Sequence, residues 1–296
     1  MQDSPNHFQQ AGIDLQAHTT ASDGSATPTE VIAAAARLGL SAIAVTDHDT
    51  IAGLPEAIAA AKEYAIELVP GVELAVEDDI GRFHLLGYLF NPSDTKLAET
   101  LVQLRRSRNQ RNEQIMQRAR ELNLPITWED VRKEVGEEAE IVARPHIAAA
   151  LLKKGIVSTR QEAFDVYLTP GKPLYFPKMG LSPAQAAQIL HDAGGVAVMA
   201  HPGLSKWAEP AQLSERLAGL KDNGLDGVEV YYSQHSPEQT AHYLQIARDL
   251  GMIYTGGSDY HGDPKPHVHL GVVYEGGPAP LEILGPLKER AQRYKK

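Results

Sequence analysis

The sequence predicts an α/β protein, a distorted (β/α)7 barrel of the TIM-like kind carrying a helical insertion. Three observations lead there. Short apolar segments alternate with helix-like ones at the spacing of parallel β/α units. That alternation stops after Asn91-Pro92, and from residue 94 to about 154 the pattern is nearly all helical. The roughly 200 residues left outside the insertion are few for eight β/α repeats, which favours seven or a distorted set.

In chain order, residues 1–12 are polar and lack the apolar run of a signal peptide, so they read as a frayed leader. Residues 13–18 form a first short strand. Thr27-Pro28-Thr29-Glu30 then opens a helix: Thr27 can cap it, Pro28 suits its first turn and Glu30 completes a capping box. Gly39 is its natural stop. Residues 41–46 (SAIAVT) read as a buried strand, 54–64 as a helix and 67–73 as another strand. After Asn91-Pro92 the rhythm breaks, and strands resume only at 195–200, 227–232 and 252–256. The barrel is therefore assigned to 13–91 and 176–287, the insertion to 92–175, and a charged, solvated helix end to 288–296.

Composition narrows the chemistry. With 43% hydrophobic and 22% charged residues over 296 positions, the chain has the make-up of a folded globular protein. It has no cysteine, which excludes disulfides, thiolate metal sites and cysteine nucleophiles and makes a cytoplasmic address the default. A net charge of −10 argues against a sequence-independent binder of duplex DNA. No apolar run approaches the ~20 residues of a membrane span.

The histidines carry the strongest signal. His18, His48, His84, His201 and His261 each fall at or just after the expected end of a strand, the face where β/α barrels gather their catalytic groups. Asp23, Asp47, Asp49, Glu73 and Asp259 accompany them. One such histidine would be read as a packed core residue; this set points to a polynuclear metal site. Imidazole and carboxylate without thiolate suit Mn²⁺, Fe²⁺ or Zn²⁺.

The segments are DLQAH (14–18) with Ser22-Asp23-Gly24, Thr46-Asp47-His48-Asp49, Pro70-Gly71-Val72-Glu73, FHLLG (83–87), Ala200-His201-Pro202-Gly203 and Gly257-Ser258-Asp259-Tyr260-His261. In this order they resemble the PHP (polymerase and histidinol phosphatase) family of metal-dependent phosphoesterases. Within it the chain looks most like the bacterial nucleoside 3′,5′-bisphosphate phosphatase and 5′-to-3′ exoribonuclease branch. Arg144-Pro145-His146-Ile147-Ala148 resembles that branch's Arg-x-His-Phe-Ala, and YLTPGKP (167–173) and Ser233-Gln234-His235-Ser236 also fit.

The resemblance implies a PHP barrel holding two to three divalent ions, Mn²⁺ foremost with Zn²⁺ or Fe²⁺ as alternatives. A first site would take His18, Glu73 and Asp259, with Gln16 standing where the family has a histidine. A second would take Glu73 as a bridge, His84 and His201. A third would take Asp23, His48 and His261. Glu73, Asp259, His201 and Arg144 would carry catalysis. Two such ions can activate a water near neutral pH and neutralise phosphate oxygens.

Substrate contacts are expected from Arg144, His146, Lys172 and His235. Arg108 and Arg111 join them because they fall on the apolar stripe of Leu97, Leu101, Leu104, Ile115 and Leu122, where a charge must find an anion. That anion is a structural carboxylate or a substrate phosphate. The implied substrates are small nucleotides, by removal of a 3′-phosphate from nucleoside 3′,5′-bisphosphates or by trimming short single-stranded RNA from its 5′ end. The alternatives are another small phosphate ester such as histidinol phosphate, or a non-catalytic metal- or nucleotide-binding module in which Gln16 marks a lost site. Glu229 is left as an inner-barrel acid or a partner of a ligand.

Overall fold

The computed structural model describes residues 12–135, 142–177 and 180–295, so the leader expected over residues 1–12 lies outside it except for Gly12. Strand β1 (Gly12–Ala17) is followed by α1 (Pro28–Arg37), β2 (Ala42–Val45), α2 (Leu54–Glu63), β3 (Glu67–Glu77) and β4 (Arg82–Tyr88). Helices α3 (Thr95–Glu121), α4 (Trp128–Val135), α5 (Arg144–Lys153) and α6 (Arg160–Ala163) come next, the last running into one turn of π-helix. Then α7 (Pro183–Asp192), β5 (Val196–Met199), α8 (Pro210–Asp222), β6 (Gly227–Tyr232), α9 (Pro237–Asp249), β7 (Ile253–Gly257), β8 (Ala279–Pro280) and α10 (Leu284–Gln292) complete the chain.

The strands form one sheet in the order β7-β6-β5-β4-β3-β2-β1-β8. It curls into a nearly closed barrel, because the segment after β7 returns to β1: the Asp259 amide donates to Gln16 O and the His18 amide to Tyr260 O, both at 2.9 Å. The helix signals operate as read. Thr27 and Glu30 make the capping box of α1, and Ser182 with Gln185 and Ser236 with Gln239 do the same for α7 and α9.

One expectation fails. β4 runs antiparallel to both β3 and β5, so the barrel is not a pure succession of parallel units. The cause is the turn at 78–81, where Asp78 Oδ1 accepts from the Ile80 and Gly81 amides. A connection that short closes a hairpin and cannot make a crossover. His84 therefore enters near the start of its strand, not at its end, yet the reversal still delivers it to the rim that carries the other histidines.

Ile13, Leu15, Ala44, Leu86 and Val198 form an apolar cluster closed by Ile283, Leu284 and Leu287 at the C-terminal helix. A second cluster packs the strands against α1, α2, α7, α8 and α9 and takes in Leu97, Leu101 and Leu104 of α3. A third joins the far half of α3, at Ile115, Met116 and Ala119, to Val131, Ile147, Leu151 and Leu174. The end of the chain is less solvated than expected. Leu287 and Ala291 are buried, and the Tyr294 hydroxyl donates to Asp226 Oδ1 at 2.7 Å while its ring stacks on His191.

Candidate metal centre

The site begins at the end of β1, where Gln16 and His18 share a strand face by two-residue periodicity. The turn that follows is folded by Asp47, which accepts from the Thr19 amide and hydroxyl at 2.8 Å each and from the Ser22 hydroxyl at 2.6 Å. That turn brings Asp23 back over the strand, within 3.5–3.8 Å of ring nitrogens of His18, His48 and His261. His48 and Asp49 follow β2, Glu73 lies within β3, His84 within β4, His201 follows β5, and Asp259 and His261 follow β7. Asp49, His201 and Asp259 have φ of +52°, +29° and +60°, a left-handed backbone that few non-glycine residues adopt, though Asp and His do so more often than most, and that clusters at functional sites.

Glu73 is the hub. Its Oε1 lies 2.6 Å from His84 Nδ1 and 3.0 Å from His201 Nε2; its Oε2 lies 3.0 Å from His18 Nε2 and 3.7 Å from His48 Nδ1. Asp259 Oδ1 faces His18 Nε2 at 3.3 Å and His261 Nδ1 at 3.5 Å. Three sets of donor atoms could each surround one cation: His18, Asp23, His48 and His261; His48, Glu73 and His84; His18, Glu73 and Asp259. The last groups the residues expected for the first site, and the first groups those expected for the third with His18 added. In the middle set His48 joins Glu73 and His84, while His201 meets the same Glu73 oxygen from another side.

The donor set fits divalent cations. His18 is fully buried with its ring nitrogens facing carboxylate oxygens but without well-aligned hydrogen bonds to them, as is His84 Nδ1, and Gln16 Oε1 is buried with no hydrogen-bond partner. Buried polar atoms are rarely left so unless an ion or water completes them. Burial pushes His48 down to about 3, against the pull of Glu73 and Asp23, so its imidazole is neutral as a ligand must be. Burial would raise Glu73, but the imidazoles of His48, His84, His18 and His201 around it hold it well below the usual carboxylate range. Gln16 departs from a ligand's geometry: its amide Nε2 donates to Glu73 Oε2 at 3.2 Å. Glu229 lies beneath the site, accepting from the His201 amide at 2.8 Å, and burial with nearby Asp259 and Glu73 keeps its carboxyl well above the usual range.

The expected substrate residues divide. Arg108 pairs through one Nη with the structural carboxylate of Asp49, while its Nε is buried without a partner. His235 is also committed: Nδ1 lies 2.9 Å from Val230 O and Nε2 accepts from the Gly203 amide at 3.1 Å. His146 Nδ1 accepts from the Ala143 amide at the start of α5, with Asp23 and Arg108 near enough to act on its charge. Lys172 is exposed, in the turn that leads to Tyr175.

Arg111 and Arg144 behave differently. Arg111 Nε donates to Asn112 and Arg144 to Leu168 O, and among the described residues neither guanidinium meets a carboxylate. Burial and the neighbouring Arg144, Arg108 and Arg82 push Arg111 down to about 9. Burial and Arg82 likewise depress Arg144. Arg82 and Tyr175, which sequence reasoning missed, complete this group, the Arg82 guanidinium lying 5.3 Å from the Tyr175 ring centre. Arg82 was findable: it stands two residues before His84, on the same face of a strand that was not read as one. Lys265 and Tyr232, both on Asp259 Oδ2, were also missed.

A barrel rim of imidazoles and carboxylates with cationic side chains beside it defines a metal-dependent phosphoesterase. Residues 14–112 match the PHP domain. The chain is 32% identical to the 5′-3′ exoribonuclease Rnm of Salmonella typhimurium, over 87% of each protein. It is 34% identical to the 3′,5′-nucleoside bisphosphate phosphatase of Chromobacterium violaceum, covering 85% of this chain and 87% of that one. Its fold superposes with a TM-score of 0.81 on a Bifidobacterium adolescentis structure assigned as a metal-dependent phosphoesterase, at 32% identity, covering 95% and 96% of the two chains. The chain belongs to the PHP family of metal-dependent phosphoesterases. Among the described residues no helix is long and apolar enough to cross a membrane.

Proposed function

We propose that this chain hydrolyses phosphate esters of small nucleotides, the 3′-phosphomonoester of nucleoside 3′,5′-bisphosphates and/or the 5′-terminal phosphodiester of short 5′-phosphorylated single-stranded RNA, with two to three Mn²⁺ ions. The observation that carries the reading is buried Arg111 beside partly buried Arg144, neither matched by a carboxylate among the described residues, with Tyr175 and the Glu77-paired Arg82 close by. Guanidinium groups buried together are costly unless an anion joins them, and a second phosphate is such an anion. The names of the two relatives point to the same substrates.

The ions, when bound, polarise the phosphoryl group and supply a nucleophilic water at neutral pH. The chain's own residues do the rest. Glu73 offers one oxygen to each of two donor sets and so fixes their separation. His18, Asp23, His48, His84, His201, Asp259 and His261 complete the sets. Arg144 and Arg111 grip the phosphate that is not cleaved, and Arg is suited to that bidentate task. His146 lines the approach near Asp23, and exposed Lys172 adds positive charge outside it. Water adds to phosphorus, the ester bond breaks, and the released sugar oxygen takes a proton.

Phosphate release from adenosine 3′,5′-bisphosphate, AMP and histidinol phosphate in Mn²⁺ tests this. The bisphosphate is expected to be the best substrate; a preference for histidinol phosphate overturns the nucleotide reading.

A further inference from the structure

Asp259 carries a cation that belongs to the protein. Lys265 Nζ lies 2.5 Å from Asp259 Oδ2, and the Tyr232 hydroxyl donates to that same oxygen at 2.9 Å. The other oxygen, Oδ1, faces His18 and His261. Among the described residues, Lys265 is the one lysine or arginine paired with the carboxylates of Asp23, Glu73 or Asp259. The loop that bears it is pinned. Its backbone amide donates to Gly262 O, its carbonyl accepts from the amide of buried Val268, and the Asp263 amide donates to Ser25 Oγ, all at 2.9 Å.

We propose that Lys265 is a positioning residue: with Tyr232 it locks one oxygen of Asp259, so that the other is held ready for a divalent cation beside His18. The inference rests on the reading of Asp259 as a metal ligand. A carboxylate held at neither oxygen turns freely about its terminal torsion, which has broad wells. Charge-assisted hydrogen bonds are short and roughly twice as strong as neutral ones, so two donors on Oδ2 oppose that rotation. The strained backbone of Asp259, at φ +60°, sets where the side chain starts, and Lys265 sets where it ends.

Electrostatics alone makes the opposite prediction, which gives the test its edge. An ammonium beside a cation site repels the cation, so its removal would tighten metal binding if charge were all that mattered. Positioning makes removal weaken it. Loss of an outer partner of a ligand costs about 10–100-fold in metal affinity. Calorimetric titration of Mn²⁺ into metal-stripped protein compares the natural chain with Lys265→Met, which keeps the apolar stem, and with Tyr232→Phe, which removes only the hydroxyl.

Lys265→Met is expected to weaken binding at one site by about tenfold, and Tyr232→Phe by less. Mn²⁺ binding by Lys265→Met that is as tight as natural, or tighter, overturns the assignment. Lys265 is about a third exposed, so the variant has little packing to lose. The titration uses no substrate. A natural chain that binds Mn²⁺ but hydrolyses none of the nucleotides refutes the proposed substrates and leaves this measurement standing.

Discussion

Arg108 of α3 reaches across 59 positions of sequence to the carboxylate of Asp49, the residue after His48, and both side chains are buried. The contact ties α3 to the loop that bears a candidate metal ligand. Asp49 is also bonded by the Ala75 amide at 3.1 Å, which links the same loop to β3, the strand of Glu73.

Removing one partner of a buried pair strands the other charge and costs about 3–5 kcal/mol. Arg108→Met is therefore expected to lower the unfolding free energy by that order, measured by urea titration. The double variant Asp49→Asn with Arg108→Met should recover part of the loss, because no charge is then left alone. A single-variant cost under about 1 kcal/mol, the scale of a surface pair, would show that the pair does not anchor the helix.

Glu73→Gln keeps the shape and removes the charge at the hub of the imidazoles. Metal per chain should fall, and turnover should drop by more than about 100-fold, beyond what outer partners of ligands alone contribute. Elemental analysis and phosphate release check the two halves. Natural metal content with near-natural turnover would remove Glu73 from the centre.

Arg111 and Arg144 should separate binding from stability. Without an anion, Arg111 is held down to about 9 by burial and by Arg144, Arg108 and Arg82, so the folded state disfavours its charge. Arg111→Met is expected to raise the melting temperature of the free protein. Arg144→Ala should raise KM for the bisphosphate roughly 10- to 100-fold, as loss of a charged hydrogen bond of ~1.5–3 kcal/mol implies, with metal content unchanged. Inorganic phosphate should stabilise the natural chain more than either variant. Unchanged KM in Arg144→Ala would make it structural.

What the sequence disclosed follows the range of each contact. His18, Asp23, His48, Asp259 and His261 stand in short motifs at strand ends, which are readable from apolar runs, and Glu73 stands at the expected end of a strand that in fact runs on to Glu77. Arg108 was legible as a charge in need of an anion, but not which one, because Asp49 is joined to it only by the packing of α3. Lys265 gave no sign, since its reach to Asp259 depends on how the 262–268 loop turns. The antiparallel β4 was hidden in the 78–81 turn, whose Asp78 and Gly81 are hairpin residues that went unweighed, and with it went Arg82.

His235 offers a pH test away from the carboxylates. Burial is the main cause that brings it down from 6.5 to about 4, against the pull of Val230 O. Between pH 4 and 6.5 the unfolded chain therefore binds a proton that the folded chain refuses. By linkage, stability from this group is complete above pH 6.5 and is lost as pH falls toward 4, up to about 3 kcal/mol. His235→Gln should flatten the rise of unfolding free energy with pH across that window. Identical slopes in the two proteins would mean the ring is not held neutral.

Gln16 bears on the number of ions. It occupies the position where the family resemblance expects a histidine, on the strand face of His18, and in this chain its amide donates to Glu73 while its carbonyl oxygen is buried without a partner. Gly257 packs against it so closely that an added Cβ would sit 2.4 Å from the Gln16 backbone nitrogen, so the two strands approach here as only glycine at 257 allows. Gln16→His replaces that amide with an imidazole beside His18, Glu73 and Asp259. Affinity at the first site should rise, more at higher pH where imidazole is neutral. Turnover rises with it if that ion limits the natural protein. Mn²⁺ titration of the two stripped proteins, followed by both binding and phosphate release, measures each effect. Equal stoichiometry and affinity would show that residue 16 orients Glu73 and touches no metal.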